Sequence, residues 1–281
     1  MNIAGVVILY HPDIKQLSEN INTYVLGLKQ LYIYDNSEIQ TPGIEAALNN
    51  LHPCIKYQFF NSNEGIAKRL NQAFEAAIQT QHDYLLTMDQ DSSFKPDDFE
   101  KYKSLIQKGE YTKVAQFGIN CQPHITISSE QPQEALTLIT SGSILNLSLV
   151  KNVGDFNEDL FIDFVDAEFS YRVVQHGLIN LMFSNILLNH ALGNLVSGRS
   201  VLTFKKSLRI IHVPIRTFYI TRNGLFLLFK HKGLSEEMKK DVIRCMKILK
   251  NDLIYHPQLT QVYINVMKGI FAFCFNKMGK K

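Results

Sequence analysis

Tryptophan is absent from this chain of 281 residues, which holds only four cysteines and eight prolines. The cysteines (Cys54, Cys121, Cys245, Cys274) are scattered and form no C-x-x-C pair, which argues against a zinc ribbon or a thioredoxin-like motif. The opening residues, Met1-Asn-Ile-Ala-Gly5, lack the basic leader of a signal peptide, so the thiols read as reduced and the protein as cytoplasmic. A membrane-spanning run is missing too. The longest stretch without Asp, Glu, Lys or Arg, 173–198, contains four Asn and two His, and the apolar run 225–229 is far too short to cross a bilayer. No repeat with a period of about 20 to 50 residues is visible, and no segment is of low complexity. No G-x-G-x-x-G follows the first apolar run, which disfavours a nicotinamide dehydrogenase.

What is present is an ordinary globular balance, 46% hydrophobic and 20% charged, long enough for one large domain or two small ones. The formal net charge of +3 is too small to argue for nucleic acid. The sum conceals a split. Residues 1–204 hold 13 basic and 22 acidic side chains, whereas residues 205–281 hold 16 basic and 4 acidic. An acidic body with a basic tail calls for a partner or a surface.

Residues 3–10 are apolar and β-branched, as suits a strand buried on both faces. Ile14, Leu17, Ile21, Val25 and Leu28 then recur at helical spacing. Further strands are predicted at 31–34, 55–60 and 84–88, with helices over about 43–50 and along the Ile66, Leu70, Phe74, Ile78 stripe. Such β-α-β alternation implies a parallel sheet with helices on both faces. Ligands of these sheets bind beyond the carboxyl ends of the strands, where Asp35, Asp89 and Asp91 fall. Farther on, 114–120, 136–147 and 179–188 read as strands and 121–134 as a loop. Residues 166–176 read as a helix closed by Gly177, and 214–230, 235–252 and 259–275 as helices. The expected organisation is one α/β domain over 1–204 with a basic, mainly helical extension over 205–281 packed on it.

Five motifs carry chemistry. Asp89-Gln90-Asp91 ends an apolar strand; residues i and i+2 of an extended segment face one side, about 7 Å apart. Two such carboxylates suit a divalent cation that clamps a diphosphate, although a turn can be acidic for no chemical reason. Asp163, Asp166 and Glu168 stand among Phe, Ile and Val, surroundings that favour a general base; Asp166 would serve equally as a helix N-cap. Thr140-Ser141-Gly142 falls within a predicted strand, where Gly marks a close ligand approach or a bulge. His190 could complete a metal site around Asp91 or be structural. Arg222 could pair with phosphate, lie on the surface, or pair with an acid of the body.

Together these segments resemble the inverting family 2 glycosyltransferases of the GT-A fold, and within them the rhamnosyltransferase-like branch. The matching stretches are VVILYHP (6–12), YDNS (34–37), NEGIAKRLNQA (63–73), LLTMDQDS (85–92), ITSGSILN (139–146), VGDFNEDLFIDFVDAEFSYR (153–172), HALG (190–193) and YITRN (219–223). The resemblance implies a Rossmann-like, mostly parallel central sheet flanked by helices, and a nucleotide-sugar donor, dTDP-L-rhamnose first among them. Asp35 matches the family acid that hydrogen-bonds the base. Asp91 looks like the direct ligand of Mn²⁺ or Mg²⁺, with Asp89 nearer the ribose and His190 able to join the metal shell. Asp166 looks like the catalytic base of the family's "ED" element, although Val165 stands where the general pattern has Glu. Tyr10, Asn63, Gly65, Asn71, Ser141, Gly142 and Arg222 lie in matching stretches and are implied contacts of the nucleotide sugar. The family's Q-x-x-R-W motif is missing, which points to single-sugar transfer rather than processive synthesis.

Two other readings compete. A sugar-1-phosphate nucleotidyltransferase shares the topology but would open on a Gly-rich loop with a basic residue, where this chain has Tyr10-His11-Pro12. A non-catalytic nucleotide-sugar-binding or membrane-surface module explains the basic tail but leaves Asp89, Asp91, Asp166 and His190 without a task. The tail's lysines interleave with apolar residues over 262–281, a pattern that can rest on anionic lipid without crossing it. Relatives with lipid-linked acceptors would then place this protein at the inner face of the cell membrane, acting on a glycan or lipid-linked saccharide in cell-surface polysaccharide synthesis. Packing against the acidic body or in a homo-oligomer would use the same residues.

Overall fold

The structure is a computed structural model that describes residues 1–121, 131–189, 194–199 and 206–281. Its elements run β1 (Ile3–Leu9), α1 (Ile14–Asn22), β2 (Gln30–Asp35), α2 (Ile44–Leu51), β3 (Ile55–Phe59), α3 (Ile66–Gln79), β4 (Tyr84–Asp89), β5 (Ser93–Phe94), α4 (Asp98–Lys108), β6 (Val114–Asn120), β7 (Gln133–Glu134), β8 (Ser143–Asn146), α5 (Leu147–Val150), α6 (Val165–Gln175), β9 (Ile179–Asn189), β10 (Asn194–Arg199), β11 (Lys206–Ile211), α7 (Pro214–Phe229), α8 (Glu236–Met246), α9 (Leu249–Tyr255) and α10 (Leu259–Cys274). The chain divides into two compact units, one of residues 1–157 and 166–190, the other of 158–165 and 191–281.

The first unit is built on one sheet in the order β3-β2-β1-β4-β8-β6-β9-β5, with β7 also paired to β9. β1 pairs in parallel with both β2 and β4, and β2 with β3. After β3 the chain crosses back over β1, so the order reverses there and opens a crevice beyond the carboxyl ends of the strands. β1 is buried over nearly its whole length, as its Val and Ile content requires of a strand covered on both faces. Leu17 and Ile21 of α1 are buried, and Asp13 caps that helix by accepting from the Gln16 N–H at 2.9 Å. The core includes Val7, Leu9, Ile33, Leu86, Met88 and Phe117.

The expected strand over 136–147 is largely corrected. Gly142 has a φ of 78°, and the Ser143 N–H closes a turn onto the Thr140 carbonyl at 3.1 Å, so regular pairing starts only at Ser143. The expected loop over 121–134 ends in the two-residue β7, and 122–130 lie outside the described residues.

The second unit contains the β10–β11 antiparallel pair and helices α7 to α10. Pro214 starts α7 at the position where its missing N–H costs nothing. The helix expected over 235–252 is two, α8 and α9. Gly269 of α10 lets that helix approach α7 closely, since a Cβ there would stand 2.7 Å from the Phe218 carbonyl oxygen. Phe161, Phe218, Tyr219 and Ala272 form a small apolar cluster in this unit.

Candidate active site

Register brings the predicted nucleotide residues of the first unit to one edge. In the parallel ladder Leu9 of β1 stands beside Asp35 of β2, and Ile8 beside Asp89 of β4, so Asp35, Tyr10 and Asp89 emerge at the same end of three neighbouring strands. Asp35 is fully buried. Its carboxylate accepts from the Ser37 N–H at 3.0 Å and from the Tyr57 hydroxyl at 2.8 Å. Burial, together with the hydrogen bond to Asp35 and its charge, raises the Tyr57 hydroxyl pKa. Tyr10 presents an exposed ring, while its backbone N–H and carbonyl pair with the Gln90 side-chain amide at 2.8 and 3.1 Å. That exchange ties the end of β1 to the acidic turn after β4, and the Asn20 amide holds the Gln90 carbonyl from the other side at 3.0 Å.

The turn itself is anchored from the 140–143 segment. The Asp89 N–H donates to the Ser141 hydroxyl at 3.2 Å, Ser141 donates to the Ser92 hydroxyl at 2.8 Å, and the Gly142 N–H donates to the Thr87 carbonyl at 2.8 Å. Ser141 and Gly142 therefore hold the backbone of the acidic turn rather than interrupt a strand. A Cβ at Gly142 would meet the Ile119 side chain at 2.6 Å, on top of the left-handed backbone. The charge of Asp89 reaches its neighbours. Burial first and Asp89 second push the Cys121 thiol up to about 12, and the same two causes raise the Tyr24 hydroxyl. No group of three or more His, Cys, Asp or Glu able to hold a metal occurs among the described residues, and His190 lies outside them. Of the expected metal ligands only Asp91 is therefore described, a hard oxygen donor of the kind such a cation takes.

Asn63 and Gly65 shape the loop before α3. The Asn63 side-chain Oδ1 accepts from the Gly65 N–H at 3.1 Å and from the Asn36 amide at 3.0 Å, and Gly65 has a φ of 89°. The hub of this loop is a residue that no sequence motif singles out. Asn36 is buried, and its Oδ1 accepts from the Glu64 N–H and from Nε of the fully buried Arg69 at 2.9 Å. Both residues were visible within the YDNS and NEGIAKR stretches. Asn71 exchanges two hydrogen bonds with the Phe156 backbone at 2.8 and 2.9 Å, so it pins that segment.

Asp166 is the second residue of α6, one position inside the helix rather than its N-cap, and its Oδ1 accepts from the Ala167 N–H at 2.8 Å. Its two acidic neighbours are engaged elsewhere. Glu168 is buried in a bidentate pair with Arg172 at 2.8 and 3.0 Å. In the second unit Asp163 pairs with Arg216 at 3.2 and 3.3 Å.

Arg222, expected to meet phosphate, is engaged inside the second unit. It is 1% exposed, and its guanidinium donates to the Gly279 carbonyl at 2.6 Å and to the Asp159 and Leu160 carbonyls at 3.1 and 3.0 Å. Its Nε donates to Asn223 Oδ1 at 2.9 Å. All its nitrogens face loop backbone and one neighbouring amide, so the arginine is spent within its own unit.

The sequence pattern described as "Glycosyl transferase family 2" matches residues 17–157. A curated relative, the dTDP-rhamnosyl transferase RfbF of Shigella flexneri, is 27% identical and is covered over 81% of its length by 82% of this chain. Among solved structures, the mannosyltransferase PcManGT of Pyrobaculum calidifontis in complex with GDP-Man and Mn²⁺ superposes with a TM-score of 0.63 at 10% identity, covering 98% of this chain and 88% of its own. S. aureus TarS residues 1–349 in complex with UDP-GlcNAc gives 0.59 at 15% identity, covering 97% and 82%. These likenesses establish the GT-A fold: a mixed α/β sheet flanked by helices.

Proposed function

The chain belongs to glycosyl transferase family 2, and we propose that within it this protein transfers L-rhamnose from dTDP-L-rhamnose, with inversion, to a hydroxyl of a glycan or lipid-linked saccharide in cell-surface polysaccharide synthesis. The observation that carries this reading is the common edge at which β1, β2 and β4 end in Tyr10, Asp35 and Asp89. The donor is argued from the 27% identical relative named for dTDP-rhamnose.

In this reading Asp35 holds the base, Asp89 the ribose side, and Asp91 the diphosphate side together with His190. Tyr10, Asn63, Gly65 and Asn71 shape the walls, and Ser141 with Gly142 fixes the acidic turn. Mn²⁺ or Mg²⁺, when bound, offsets the charge of the departing diphosphate. Asp166 takes the proton from the acceptor hydroxyl. The oxygen then forms its bond to the anomeric carbon from the face opposite the diphosphate, and the electron pair of the broken C–O bond leaves with dTDP.

The acceptor's membrane is argued from α10. Tyr263, Ile264, Met267, Phe271 and Phe275 are exposed, with Lys268 and Lys277 beside them. An apolar face edged by lysines suits an anionic lipid surface. Among the described residues no helix is long and apolar enough to cross a membrane.

A donor screen tests the reading. Thermal shift and turnover are measured with dTDP-L-rhamnose, UDP-sugars and GDP-sugars, each with and without Mn²⁺. The expected result is stabilisation and dTDP release with dTDP-L-rhamnose in the presence of metal. Turnover confined to a UDP- or GDP-sugar would overturn the donor, and turnover indifferent to chelation would overturn the metal.

A further inference from the structure

The segment leading into α6 is strained in a way its sequence does not require. Phe161, Asp163 and Phe164 have φ values of 65°, 61° and 65°. A side chain with a Cβ, and a bulky ring above all, resists the left-handed region. Three such residues in four persist only where surrounding contacts over-determine them, and strain of this kind gathers at functional sites.

α7 supplies those contacts, all within the second unit. Asn223 is fully buried, and its amide nitrogen lies 2.9, 2.8 and 2.9 Å from the carbonyl oxygens of Leu160, Ile162 and Asp163. Its amide is held the right way round because Oδ1 accepts from Arg222 Nε. Arg222 takes the Asp159 and Leu160 carbonyls, Arg216 takes the Asp163 carboxylate, and Phe161 stacks on Tyr219 with centroids 5.1 Å apart and planes at 16°. A core that needed only filling would use an apolar residue at 223. An amide aimed at three carbonyls of one loop sets a backbone path.

That path ends at the proposed base. Val165 closes the loop and opens α6, and Asp166 follows it by one peptide bond. We infer that Asn223 and Arg222 are positioning residues for Asp166: they hold the carbonyls of 159–163, and so fix the strained lead-in that sets where the first turn of α6 begins. The inference rests on reading Asp166 as the base. Were the clamp released, Asp163 and Phe164 would relax to negative φ, and the start of α6 would swing with them. A general base works only within hydrogen-bond reach of its proton, and a shift of about 1 Å costs about a hundredfold.

The test compares Asn223→Ala and Arg216→Gln with wild type, using the nucleotide sugar that turns over in the donor screen. Nucleoside diphosphate release gives kcat, KM and the pH profile of kcat; calorimetry gives dTDP affinity, and melting gives the folded fraction. Arg216→Gln is included because it removes no buried amide: Arg216 is 39% exposed and pairs with the Asp163 side chain. The expected result is a fall in kcat of about tenfold or more per folded molecule, with dTDP affinity within about twofold of wild type and a displaced pH profile. A purely structural clamp would lower the melting temperature and the folded fraction but leave kcat and its pH profile untouched, and that outcome overturns the inference. A loss of dTDP affinity in step with kcat overturns it as well. Asp166→Asn, measured alongside, separates the two readings. If it retains turnover, the base assignment fails whatever the loop variants do. If it loses turnover while both loop variants keep kcat, only the positioning role fails.

Discussion

Replacing Asp166 by Asn keeps the size and polarity of the side chain and removes its capacity to accept a proton at neutral pH. Transfer is expected to fall by about two to four orders of magnitude, with dTDP binding unchanged by calorimetry; a variant that lost binding in proportion would show that Asp166 holds the donor instead. Asp91→Ala is the complementary substitution. It should abolish metal-dependent turnover, and rates that still respond to Mn²⁺ would shift the ligand role to another group. The place of a residue was legible in the sequence where a short motif ends an apolar run, as Asp89 ends β4. It was not legible for Arg222. A charge on a helix reads as outward-facing, and only the structure reveals carbonyl oxygens of Asp159, Leu160 and Gly279 waiting around the guanidinium. Asn36 and Arg69 were hidden for the same reason: nothing in a sequence says that two polar side chains will be buried against each other across 33 positions.

The alternation of strands and helices through β4 was readable because it rests on two clean periods, continuous apolar runs for strands and 3.6-residue stripes for helices. The 136–147 segment defeated that logic. Its apolar content suits a strand, yet the left-handed backbone at Gly142 and the turn from Thr140 to Ser143 keep the ladder from forming before Ser143. The β10–β11 pair straddles the expected boundary at 204/205 and is not among the predicted strands. Packing of α10 on α7 is likewise a property of pairs of elements, and it yields a prediction. Gly269→Ala places a methyl 2.7 Å from the Phe218 carbonyl oxygen, a helix backbone atom that cannot step aside alone, and 3.1 Å from the Thr221 Cβ. Overpacking of this kind costs about 1–3 kcal/mol, to be read as a lower denaturation midpoint at unchanged slope; an unchanged midpoint would mean that the helices part freely.

At the scale of the whole chain, the near-neutral sum divides into an acidic part and a basic part, and the structure refines the basic one. Arg222 is buried, the Lys281 ammonium bonds to Asn265, and the Lys230 ammonium caps the Phe273 carbonyl at 2.8 Å. Some of the tail's positive charge therefore closes its own helices, and what faces solvent beside the apolar face of α10 is Lys268 and Lys277, with Lys232 and Lys280 also exposed. If that face docks on anionic lipid, wild type should float with phosphatidylglycerol vesicles and not with neutral ones, and Phe271→Ser with Phe275→Ser should abolish flotation. Flotation unaffected by the pair, or absent in wild type, would exclude this face. Point changes serve better than deletion of the tail, because Gly279 and Lys281 bond back to Arg222 and Tyr219.

The parallel register of β2, β1 and β4 has a metric consequence. Neighbouring strands lie about 4.8 Å apart, so Asp35 and Asp89, on either side of β1, are separated by about 10 Å of fixed backbone. In the proposed donor site, a rigid sheet edge of that width would act as a ruler for the distance between a nucleobase and its phosphates, and every nucleoside diphosphate has nearly the same length. If Asp35 holds the base, as proposed, discrimination among thymine, uracil and guanine falls to the rim around it, where Tyr57 and Ser37 hold its carboxylate. On that reading, changing the accepted base is a matter of redrawing that rim, while the ruler is left alone.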